Sequence, residues 1–69
     1  MNAKQRSKMV LEQLEKLARY SMGIHTYTDT QDPNAKELRA SLEYWESKGK
    51  AHKALEGDGW VLWKAGKGK

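Results

Sequence analysis

Apolar residues recur at helical spacing in the first third of the chain. Val10, Leu11, Leu14, Leu17 and Ala18 share one face of a 3.6-residue period, and Glu12, Gln13, Glu15, Lys16 and Arg19 share the other. The spacing predicts a helix from about Lys4 to Tyr20. Asn2 or Ser7 suits its N-cap; with Ser7 as cap, Lys4 and Arg6 would belong to a mobile arm. Gly23 suits its C-terminal cap. Ile24–Thr28 then reads as a short strand, with Ile24, Thr26 and Thr28 alternating against His25 and Tyr27. Asp29–Asp32 is a polar loop.

The second helix, about 33–48, has the clearest start signal. Asp32 is a good N-cap, and Pro33 fits the first helical position because its missing N–H would have no partner there. Ala35, Leu38, Leu42 and Trp45 form its apolar stripe. Gly49 closes it, with Lys48 in the last turn where the helix dipole favours a cation. Residues 50–64 read as a β-hairpin around Glu56-Gly57-Asp58-Gly59, with both glycines expected at positive φ. Within Trp60-Val61-Leu62-Trp63 the expectation is that Trp60 and Leu62 face inward. Residues 65–69 read as a flexible basic tail. The expected core is Val10, Leu11, Leu14, Leu17, Ile24, Leu38, Leu42, Trp45, Leu55, Trp60 and Leu62.

These elements make a single α+β domain: two main helices, a short strand and a C-terminal hairpin joined in a three-stranded sheet. A chain of 69 residues buries only about 60% of its unfolded surface, so its stability should be a few kcal/mol. Such a chain has little wall for a deep pocket. Cys is absent, which excludes a disulfide scaffold and a Cys-ligated zinc site. The longest apolar run is four residues, far short of the ~20 a membrane span needs. The expectation is a soluble, cytoplasmic protein with no leader segment.

The order helix, strand, helix, hairpin resembles a small winged helix-turn-helix domain of bacterial or phage regulators. The resemblance covers about half the chain. Its carriers are Leu38, Leu42 and Trp45 on a helix ending at Gly49, followed at once by a hairpin with Gly57-Asp58-Gly59 and Trp60-Val61-Leu62-Trp63. The usual domain has a further helix before the recognition helix; here Ser21–Asp32 leaves it reduced or missing. The resemblance implies that the second helix reads DNA and the hairpin acts as its wing.

Charge bears on the same question. The formal net charge is +4. Residues 1–22 carry +3, residues 23–33 carry −2, the second helix is neutral and residues 50–69 carry +3. Clustered cations suit a phosphate backbone. The expected DNA contacts are Asn34, Lys36 and Arg39 on the helix, and Lys50, Lys53, Lys64, Lys67 and Lys69 on the hairpin and tail. Arg pairs with guanine and Asn with adenine in the major groove. Arg39 also stands four residues before Glu43, the spacing of a surface ion pair.

The function expected from these features is a basic DNA-binding regulator of transcription. The alternative is a protein-interaction or inhibitory module, or a homodimer, using an exposed Tyr44 and Trp63. No catalytic constellation is legible. His25, Tyr27 and Asp29 on one strand face, with His52 on the hairpin, lack the close ligand spacing of a metal site. No cofactor and no small-molecule substrate is expected.

Overall fold

The computed structural model describes residues 3–68. The chain folds as α1 (Ala3–Ala18), β1 (Ile24–Tyr27), α2 (Pro33–Ser47), β2 (Ala51–Gly57) and β3 (Trp60–Ala65). The strands form one antiparallel sheet in the order β1-β3-β2. The architecture is α+β with a C-terminal hairpin, compatible with a small winged-helix-like domain.

Helix α1 begins before Ser7, so Lys4 and Arg6 are helical rather than a mobile arm. The Asn2 alternative for its cap lies outside the described residues. Ser7 instead shares a 3.3 Å hydrogen bond with Ser41 of α2. Its carbonyl accepts the indole N–H of Trp45 at 2.6 Å, and Arg6 Nη1 lies 3.0 Å from Glu37 Oε2. These contacts tie the start of α1 across α2.

Both helices end in the same left-handed motif. In α2 the cap is the expected one. Gly49 has φ +75°, Lys50 N–H donates to the Trp45 carbonyl, and Gly49 N–H donates to that of Glu46. In α1 the left-handed residue is Ser21 (φ +57°), not Gly23. Met22 N–H donates to the Leu17 carbonyl and Ser21 N–H to that of Ala18. Gly23 serves packing instead: a Cβ there would collide with the Trp63 carbonyl oxygen. At the start of α2, Asp32 Oδ1 accepts the Asn34 N–H at 3.0 Å, as its sequence implies.

The core lies between the helices and one face of the sheet. Leu14, Leu42, Ala51, Val61 and Trp63 are buried, with Val10, Ile24, Leu38, Trp45 and Ala65 packed around them. Trp63 has no exposed surface, and its indole N–H donates to Thr26 Oγ1 at 2.9 Å. This reverses the expected facing of β3. Both alternating pairs of Trp60-Val61-Leu62-Trp63 are apolar, so periodicity did not distinguish the faces, and a change of phase by one residue turns every side chain over. Val61 and Trp63 face the helices; Trp60 and Leu62 face away.

Leu55 is also displaced from the expected core. Lys53 pairs with Trp63, but Leu55 pairs with Leu62, so a bulge at Ala54 separates them. The extra residue flips Leu55 to the outer face, where it is 59% exposed. The turn differs too. It has two residues, Asp58 and Gly59, and of these Gly59 alone has positive φ (+82°). Gly57 has another role: a Cβ there would run into the Trp60 indole. The expected tail is partly fixed. Ala65 belongs to β3, Gly66 N–H donates to the Lys50 carbonyl at 2.8 Å, and His52 Nδ1 hydrogen-bonds the Gly66 carbonyl at 2.9 Å.

Candidate nucleic-acid interface

The expected DNA contacts fall into two groups at opposite ends of α2. A 15-residue helix is about 22 Å long, which sets their separation. Asn34, Lys36 and Arg39 stand near its start. The hairpin turn lies at the same end, because Thr28 N–H donates to the Gly59 carbonyl and Arg39 Nη1 donates to the Thr28 carbonyl at 3.2 Å. Lys50, Lys64 and Lys67 stand at the other end. There Ala51 pairs with Ala65, His52 pairs with Lys64, and the Lys67 side chain runs beside Gly49.

The two ends differ in charge. The turn end holds Asp29, Asp32, Glu56 and Asp58, and two of the expected contacts, Arg39 and Lys53, are engaged within the fold. Arg39 Nε lies 3.8 Å from Glu43 Oε1 as well as bonding Thr28. Lys53 Nζ lies 4.0 Å from Glu56 Oε1 and 5.6 Å from the centre of the Trp63 ring. Lys53 is therefore first a lid over the Trp63 ring. Lys36 is exposed and has no ion-pair partner among the described residues.

At the opposite end stand Lys48, Lys50, Lys64 and Lys67. Among the described residues, none of these four lysines has an ion-pair partner. Lys48 Nζ lies 5.6 Å from the centre of the Tyr44 ring. Four lysines without an ion-pair partner among the described residues thus stand at the base of the hairpin, while its tip is acidic. Lys69 lies outside the described residues.

The two expected partner-binding aromatics separate. Trp63 is wholly buried and offers no surface, because β3 turns it toward the helices. Tyr44 is 49% exposed and lines a groove of about 520 Å³ between α1 and α2, with Arg6, Ser7, Glu37 and Ala40. Its ring meets that of Trp45 edge-on at 5.0 Å.

The outer side of β3 carries Trp60 and Leu62, where Val61 and Trp63 were expected. Cross-strand register puts His25 beside Leu62, Tyr27 beside Trp60 and Leu55 beside Leu62 on the side away from both helices. The His25 and Trp60 rings lie 5.7 Å apart. The signal for Tyr27 was present in the alternation of β1. The rest required the facing of β3 and the bulge in β2, which no local pattern shows.

Among the described residues, no group of three or more His, Asp or Glu side chains is placed to hold a metal ion, and no helix is long and apolar enough to cross a membrane. Comparison with protein-family models, curated proteins and solved structures finds no significant match.

Proposed function

We propose that this protein is a small DNA-binding module of winged-helix type, suited to regulating transcription, that grips duplex phosphates with the base of its hairpin. The observation that carries this reading is the convergence of Lys50, Lys64 and Lys67 at one end of the fold, free of ion pairs among the described residues. Phosphate contacts position a protein on a duplex, and base contacts specify sequence. Asn34 and Lys36 remain the candidates for base contact on α2. Asp29, Asp32 and Asp58 at that end oppose a close approach to phosphate, so backbone binding outweighs base readout.

The test is fluorescence anisotropy with a labelled random-sequence duplex at 50 and 200 mM salt. Neutralising about three phosphates gives a log–log salt slope near −2.7, or roughly 40-fold weaker binding over that range. The double variant Lys50→Glu/Lys67→Glu should weaken binding at low salt by at least about tenfold and flatten the slope. Duplex affinity that ignores salt, or that survives this double reversal, contradicts the reading.

A further inference from the structure

The base of the hairpin holds one more group able to bind phosphate, and its charge depends on pH. His52 is half-buried in β2, opposite Lys64 of β3. Its Nδ1 stands 2.9 Å from the Gly66 carbonyl oxygen. A carbonyl oxygen only accepts, so Nδ1 carries the proton of the neutral ring and Nε2 is the bare nitrogen. Nε2 bonds no other described residue. No buried side-chain N or O among the described residues lacks a partner, so Nε2 opens to solvent. Protonation at Nε2 therefore adds a charge and a second donor while the bond from Nδ1 to Gly66 stays in place.

The surroundings of the ring are cationic. Lys64 is its cross-strand neighbour and Lys50 stands two residues before it. Lys67 lies between Gly66 and Gly68, and both glycines adjoin His52. Gly66 accepts its hydrogen bond, and a Cβ on Gly68 would lie 3.2 Å from its Cγ. Gly66 N–H also donates to the Lys50 carbonyl, and the Lys67 stem runs back beside Gly49. Lys53, the next residue of β2, has the opposite phase, toward Trp63 and Glu56. Strand β1 lies beyond β3, and α2 packs on the face that holds Trp63. Neither the register partners of residues 51–53 nor residues 66–68 include a carboxylate.

We infer that His52 is a fourth phosphate ligand of this site, and that its protonation tightens duplex binding as pH falls. An imidazole ordinarily titrates at about pH 6.5. A phosphate oxygen at Nε2 favours the protonated ring, so binding takes up a proton there. By linkage, affinity then rises as pH falls through the histidine range. Lysines alone keep their charge throughout that range and give no such dependence. The inference rests on the DNA-binding reading and adds a regulation to the same site.

The experiment is fluorescence anisotropy with a labelled random-sequence duplex at pH 6.0 and 8.0, each at 50 and 200 mM salt, for wild type, His52→Asn and His25→Asn. Asn keeps a donor near the place of Nδ1 and does not titrate. His25, on β1 beside Leu62, controls for the other histidine. Circular dichroism checks the fold at both pH values. Wild type and His25→Asn should bind about three- to tenfold tighter at pH 6.0, with a log–log salt slope steeper by about 0.9, one added phosphate. His52→Asn should bind alike at both pH values. In wild type, NMR should show the His52 ring protons moving on addition of duplex at pH 6.0 and those of His25 unmoved. Salt-sensitive binding that is equal at both pH values overturns the inference and leaves the duplex reading standing. A pH dependence that survives in folded His52→Asn, or that His25→Asn removes, does the same. If His52→Asn does not fold, unmoved His52 ring protons overturn the inference. Absence of binding at both pH values overturns both readings.

Discussion

Replacing Trp63 by Ala should abolish the cooperative folding of this protein. The side chain is wholly buried at the contact between β3 and both helices, beside Leu14 and Leu42. Trp-to-Ala changes in cores cost about 3–5 kcal/mol, through lost transfer energy and the cavity left behind. A domain of this length has only a few kcal/mol to lose. The change would also leave Thr26 Oγ1 without the indole proton it accepts. Thermal melting followed by circular dichroism should show a sigmoidal transition for wild type and none for Trp63→Ala at 25 °C or above. Trp63→Phe keeps most of the volume and loses the hydrogen bond, so it should fold with a reduced midpoint, at a cost of about 1–3 kcal/mol. A Trp63→Ala variant that melts like wild type would mean that Trp60, not Trp63, is the core residue of β3.

The second large effect is expected at Gly23. The residue lies just before β1, where that strand runs against the end of β3. An added methyl group would meet the Trp63 carbonyl oxygen, and Lys64 Cγ at 3.0 Å. The lysine can yield, but the carbonyl is backbone in the central strand. Gly23→Ala should therefore push β1 away from β3 and destabilise the fold by about 1–3 kcal/mol, the usual range for overpacking. Gly66→Ala is the informative control. Its φ of +88° disfavours a side chain, but nothing lies within 4 Å of the added atom. Its loss should stay near ~1 kcal/mol. Urea midpoints compared at unchanged slope separate the two cases. Equal midpoints for Gly23→Ala and wild type would show that β1 is not pressed against β3 as described.

The features readable in advance were those with a local physical cause. Asp32 and Pro33 mark the start of α2, and Gly49 marks its end, because capping chemistry acts within a few residues. The stripe of Leu38, Leu42 and Trp45 identified the buried side of α2 by periodicity alone. What escaped was decided at a distance. Val61 and Trp63 rather than Trp60 and Leu62 face the core, where Thr26 of β1 accepts the Trp63 indole proton. Leu55 left the core through a bulge at Ala54 that no residue type announces. Gly23 looked like a helix cap, whereas Ser21 adopts that conformation and Gly23 is required by a strand forty residues later.

The candidate site was legible in part for the same reason. Lysines are easily counted, but their grouping depends on topology. The sheet order carries Lys64 and Lys67 back to the end where α2 delivers Lys50. It leaves Asn34 and Lys36 beside the acidic turn. Arg39 and Lys53 carried the same formal charge in the sequence, yet each is engaged within the fold.

The most direct measurement is an NMR titration of isotope-labelled protein with a random-sequence duplex at low and at moderate salt. The account predicts amide shifts centred on residues 48–52 and 64–68, with weaker changes at Asn34–Lys36, all diminishing as salt rises. Absence of shifts at low salt, or shifts confined to the groove around Tyr44 and indifferent to salt, would contradict it.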